Sequence, residues 1–156
     1  QTLEQYTKAG KIVVLEWFNP GCPFVKKHHE AHKTMKETFD KYKDKNVVWL
    51  AINSSAPGKE GAALEDNQQA KEKWGIEYPI LLDPTGATGR AYGATNTPHM
   101  FIVDAKGVLV YAGAIDDNRS PKHVGTNLVA AALDEVLAGK PVTNASNRPY
   151  GCSVKY

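Results

Sequence analysis

Two side chains in this sequence have the chemistry of nucleophiles and of redox centres: Cys22 and Cys152, its only cysteines. Cys22 stands in Asn19-Pro20-Gly21-Cys22-Pro23, a turn signal placed between an apolar run and a helical pattern. A cysteine at a helix start meets unpaired backbone N–H groups and the positive end of the helix dipole, which favours thiolate over thiol. Such sites lower a thiol pKa from about 8.5 into the range of roughly 3.5 to 7.5. Lys26, one turn further along, adds a positive charge on the same face, and Pro23 occupies a position where a first-turn proline is tolerated. The competing reading is an inert cysteine buried at a strand–helix junction. Cys152 follows Gly151 near the chain end, and two cysteines so far apart suit neither a disulfide-built scaffold nor a zinc knuckle. Thr97-Pro98 precedes an apolar strand, where an X-Pro bond can be cis; taken alone, Pro98 reads as an ordinary strand-initiating proline.

Positioning Cys22 requires a strand before it and a helix after it. Lys11–Phe18 (KIVVLEWF) has the β-branched and aromatic character of a strand buried on both faces. From Cys22 to about Lys43, Val25, His28, His32, Met35, Phe39 and Tyr42 recur at steps of three and four, predicting one amphipathic helix. On that stripe His28 and His32 read as semi-buried packing, with a metal site built from Cys22, His28, His29 and His32 as the alternative; Lys33 interrupts the H-E-x-x-H pattern. Asn46–Asn53 is a second strand, giving a right-handed βαβ opening with a parallel pair. A polar loop over 54–61, a helix over 62–74, a short strand over 79–83 and a helical piece over 87–92 follow. Strands at His99–Asp104 and Val108–Ile115 then flank Ala105-Lys106-Gly107 as a hairpin. Val124–Leu137 reads as the last helix, stopped by Gly139 and Pro141, and the rest as an irregular surface segment able to move. This order predicts an α/β fold with helices on both faces of a mixed sheet. The expected division is a domain over 1–141 and a tail over 142–156 carrying Cys152.

Composition narrows the function classes. At 156 residues, 42% hydrophobic and 23% charged, the chain suits one globular domain. A formal charge of +2 with scattered lysines gives little support to a nucleic-acid partner, and no apolar run is long enough to span a bilayer. Gln1–Gly10 shows no basic-then-apolar export signal and no initiator Met precedes it, so the expected location is exported or periplasmic in a bacterium if a signal peptide has been removed, and otherwise cytoplasmic.

The segments LEWFNPGCPFVKKH (15–28), NSSAPGK (53–59), TPHMFIVD (97–104), YAGAIDD (111–117) and PYGCSVKY (149–156) together resemble the redoxin family. These are thioredoxin-fold proteins grouped with the alkyl hydroperoxide reductase and thiol-specific antioxidant proteins. The resemblance implies a thioredoxin-like three-layer sandwich with a mixed central β-sheet, a reactive Cys22, a cis-Pro98 beside it, and Thr97 offering its backbone to a bound thiol partner. It also implies an extra β-hairpin upstream of Gln1. Two departures matter. Thioredoxin-type reductases use C-x-x-C, whereas Val25 stands at the fourth position; typical peroxiredoxins place a hydroxyl residue three before the reactive cysteine and a proline seven before it, where this chain has Asn19 and Leu15.

The expected activity is therefore thiol-dependent oxidoreduction. Cys22 attacks a protein disulfide or a peroxide, and Cys152 or an outside thiol resolves the product. Asn19, Pro23, Lys26, Thr97 and Pro98 support the site; no metal and no cofactor is expected. The alternatives are a weak peroxidase, and a non-catalytic metal-binding or docking module on which Trp17, Phe18 and Phe24 form an apolar surface. For Cys152, an unpaired tail thiol or a bridge between subunits stands beside the internal partner role.

Overall fold

A computed structural model describes residues 1–156. β1 (Ile12–Trp17) is buried at every position, as its unbroken apolar run predicts. It lies at the centre of a five-stranded sheet of order β3-β2-β1-β5-β6. β2 (Val47–Asn53) and β3 (Ile80–Leu82) run parallel to it, while β5 (His99–Val103) pairs antiparallel with β1, and β6 (Leu109–Gly113) antiparallel with β5. The sheet is mixed, as the sequence predicts.

Alternation along β1 sorts the core into two layers. Val13, Leu15 and Trp17 pack with Leu50, Ile52 and Phe101 beneath α1 (Leu3–Lys8) and α5 (Ala87–Tyr92). Ile12 and Val14 face α3 (Thr34–Tyr42) and α6 (Leu128–Leu137) through Met35, Tyr42, Val129 and Leu133. Each such side chain, fully buried, contributes about 1.5–3 kcal/mol. Glu16, on the same face as Val14, is a carboxylate with no exposure at all.

The structure departs from the sequence reading in four places. The single helix expected over 22–43 is broken into α2 (Pro23–Lys26), a π-helical turn (Lys27–Ala31) and α3, with Lys33 in the left-handed region at φ 55°. The π turn widens the helix by a residue and shifts the stripe, so Lys27, His28 and His29 all turn inward and His32 stays partly exposed. The last helix starts at Leu128 and not at Val124. Asp116 and Asp117 accept hydrogen bonds from the backbone N–H groups of Gly125 and Thr126, holding that stretch as a loop until Asn127 caps the helix. α1 was not anticipated, although Thr2 and Gln5 form a capping box readable from their spacing.

The fourth departure is the tail. It does not run free over the surface. Backbone hydrogen bonds join Ala112 to Ala145 and Asn147, and Asn147 Oδ1 accepts from the Ala114 N–H. Gly113 makes this approach possible, because a Cβ there would lie 2.2 Å from Asn147 Oδ1. Further on, β7 (Cys152–Ser153) pairs antiparallel with β4 (Asn96–Thr97), and Lys155 O accepts from the Ala56 N–H. α4 (Leu64–Lys73) completes the elements, and no helix is long and apolar enough to cross a membrane.

Candidate active site

Cys22 caps α2 directly after the turn that leaves β1. Asn19 builds that turn: its Oδ1 accepts from the Gly21 N–H at 2.9 Å and its Nδ2 donates to Glu60 O at 3.1 Å, tying the cysteine loop to the 60s loop. The close fit requires Gly61, where a Cβ would sit 2.1 Å from Asn19 Oδ1. Pro23 fills the first helical position, with no N–H to leave unpaired. Lys26 is exposed and forms no hydrogen bond or ion pair; the lysine turned into the protein is its neighbour Lys27.

The Cys22 side chain is 0% exposed. Its Sγ lies 3.1 Å from the carbonyl oxygen of Thr97 and 2.7 Å from Cys152 Sγ, both cysteines being free. The Thr97–Pro98 peptide is cis. The β4–β7 ladder sets Cys152 directly opposite Thr97, so one residue pair fixes both sulfurs. Gly151 is required there: its φ of +130° suits no side chain, and a Cβ would lie 2.1 Å from Thr97 O. Cys152 is partly exposed. Its thiol is pushed up to about 12, first by burial, then by the hydrogen bond and the charge of the Cys22 sulfur.

Two buried polar clusters flank this region, and the sequence reading missed both. In one, Glu16 Oε1 lies 2.5 Å from His29 Nε2, while Glu16 Oε2 accepts from Trp49 Nε1 at 3.0 Å and the Tyr78 hydroxyl at 2.9 Å. Burial alone would raise the Glu16 carboxyl, but His29 and the donated hydrogen bonds outweigh it and hold the pKa below the ordinary carboxylate value. A glutamate inside an apolar strand was the available signal.

The second cluster centres on Tyr150, two residues before Cys152. Its hydroxyl donates to Asp116 Oδ1 and meets Lys27 Nζ at 2.9 Å and His28 Nε2 at 2.8 Å. With its proton given to Asp116, the oxygen accepts from both Lys27 and His28. His28 is thereby the neutral Nε2–H tautomer, its Nδ1 accepting from the Thr34 hydroxyl at 3.0 Å. Burial, aided by Lys27 and opposed by Asp116, lowers His28 to about 4. Both ring nitrogens of His28 and Nε2 of His29 are thus taken by other partners, and no group of three or more His, Cys, Asp or Glu is arranged to hold a metal ion.

The Redoxin family model matches residues 1–128, stopping where α6 begins and short of the tail. Among solved structures, the chain is similar to a hypothetical protein from Sinorhizobium meliloti 1021, 28% identical over 100% of this chain and 85% of that one, with a TM-score of 0.86. It is similar also to an uncharacterized conserved protein from Geobacillus kaustophilus, 31% identical over 94% of this chain and 78% of that one, TM-score 0.83. A putative thiol:disulfide interchange protein DsbE from Chlorobium tepidum shares the fold at 24% identity, covering 84% of this chain and 81% of that one, TM-score 0.59. No curated protein matches. The fold is thioredoxin-like. On the family match over most of its length, the chain belongs to the Redoxin family.

Proposed function

We propose that this protein is a thiol–disulfide oxidoreductase in which Cys22 and Cys152 interconvert between a dithiol and an intramolecular disulfide. The observation that carries this reading is the 2.7 Å separation of the two sulfurs. The β4–β7 ladder brings Cys152 within bonding reach of Cys22. With Val25 in place of a nearby second cysteine, Cys152 supplies from the tail the thiol that a C-x-x-C motif would supply from the helix. The fold-level similarity to a protein described as a thiol:disulfide interchange protein agrees with this chemistry.

In the oxidative half-cycle the Cys22 thiolate attacks one sulfur of a substrate disulfide and expels the other as thiolate. Because Cys22 is covered, the substrate reaches it when β7 lifts from β4. Cys152 then attacks Cys22 Sγ, expelling the substrate's remaining sulfur and leaving the internal disulfide. Disulfide exchange is favoured over peroxide reduction, since Asn19 serves as a turn-builder bound to Gly21 and Glu60 where peroxiredoxins carry a hydroxyl.

The test is to oxidise the monomer at low concentration with a small disulfide and map linked peptides by mass spectrometry, with Cys152→Ser as control. A 22–152 linked peptide in the wild type and a persistent mixed disulfide on Cys22 in the variant is the expected result. Mixed disulfide persisting on Cys22 in the wild type, with no linked peptide, overturns the reading.

A further inference from the structure

We infer that the oxidised protein is reduced through its tail: an external thiolate attacks Cys152 Sγ in preference to Cys22 Sγ, and Cys22 departs as the leaving group. This rests on the Cys22–Cys152 couple proposed above and assigns its two sulfurs opposite faces, one toward the partner and one toward the protein interior.

The asymmetry begins with exposure. Cys22 has none, while Cys152 is partly open to solvent. In the dithiol state that difference can relax, because no covalent bond holds β7 against the start of α2. In the disulfide state it cannot. The bond ties the tail to the start of α2, so the segment that covers Cys22 is fastened in place by Cys22 itself. Since the sulfurs already lie 2.7 Å apart, closing the bond preserves this arrangement. Tyr150, buried among Lys27, His28 and Asp116, fixes the tail on one side of Cys152. Val154 fixes it on the other, its N–H donating to Thr95 O. The two anchors leave Cys152 as the sulfur a partner can touch.

Attack at Cys22 would also expel Cys152 as a thiolate in the first step, in a partly buried setting that disfavours the charge. The external thiolate forms a bond to Cys152 Sγ, the Sγ–Sγ bond breaks, and its electron pair stays on Cys22. A second external thiol, or the second thiol of a dithiol partner, then attacks the partner's sulfur. The partner leaves as a disulfide, and Cys152 is released and takes up a proton. Two electrons pass from two thiols to the protein.

The experiment uses the full chain oxidised to the 22–152 disulfide, confirmed by mass spectrometry, and reduced glutathione as the probe. Rapid mixing, acid quenching and alkylation at low pH are followed by peptide mapping. The expected result is glutathione on Cys152 and alkylating agent on Cys22, in at least tenfold excess over the reverse labelling. Glutathione on Cys22 in equal or greater amount, or complete reduction without any adduct on Cys152, overturns the inference while leaving the couple intact. Failure of the linked peptide to form at all overturns the couple, and the route with it.

Discussion

His28 and His29 are adjacent in one π-helical turn, yet they serve different parts of the molecule. His29 turns to Glu16 on the central strand and joins a cluster whose members, Trp49 and Tyr78 included, belong to the body of the domain. His28 turns to Tyr150 and joins a cluster that binds the tail. Both clusters are buried and both satisfy their polar atoms. The first joins β1 and β2 to the π turn and to the loop before β3. The second joins that turn to a segment whose other attachments include backbone hydrogen bonds, a two-residue ladder, and side-chain hydrogen bonds of Asn147 and Tyr156 to Ala114 N–H and Ala94 O. Similar hydrogen-bond chemistry therefore has different consequences: loss of the first should weaken the whole fold, and loss of the second should free Cys152 from Cys22.

The sharpest test of that contrast is Glu16→Ala. It strips His29, Trp49 and Tyr78 of their common partner in the sheet, and breaking a buried pair of this kind costs about 3–5 kcal/mol. Urea unfolding should show this loss in full, and under conditions where the variant is folded the 22–152 disulfide should form at close to the wild-type rate. Tyr150→Phe is the complementary change. It keeps the ring against Phe24 and removes the hydroxyl from Asp116, Lys27 and His28. We expect a smaller loss of global stability, about 1–3 kcal/mol, with disulfide formation slowed about tenfold, as ~1.4 kcal/mol of lost tail docking would give. If the two variants affect stability and disulfide formation in the same proportion, the clusters are not distinct and the contrast fails.

The smallest effect concerns pH. His28 is held near 4 against an ordinary 6.5, so the folded state keeps the ring neutral where the unfolded chain would protonate it. A depressed folded pKa means that this contribution is fully present above pH 6.5 and is lost as pH falls toward 4. His99, also lowered to about 4 by burial, acts in the same window. Stability should therefore decline from pH 7 to 5.5, and His28→Gln should remove about 1 kcal/mol of that decline while leaving the part due to His99. Urea midpoints at the two pH values measure it; an unchanged slope in the variant would mean that His28 is not the titrating group.

Much of the scaffold was legible in the residues. The strands at 11–18, 46–53 and 99–104 and the helical piece at 87–92 follow from local patterning, because a run of apolar residues has one favourable place in a layered fold. Cys22 at a strand–helix junction and Thr97-Pro98 before a strand were visible in the same way. The π turn was not. One inserted residue leaves the apolar spacing looking helical, and only the partners waiting for Lys27, His28 and His29 make the wider turn worthwhile.

What the sequence determined by itself is the order of elements, the mixed sheet and the placing of a thiol where a strand meets a helix, since each depends on neighbours along the chain. Tertiary structure alone decided that Cys152 lies against Cys22, that Tyr150 anchors the tail, and that one sulfur faces inward and the other outward. Those outcomes depend on contacts between segments more than a hundred residues apart, such as the approach of Cys152 to Cys22 across a separation of 130 positions. No local periodicity records which distant groups will satisfy a buried hydroxyl or which strand edge a tail will find.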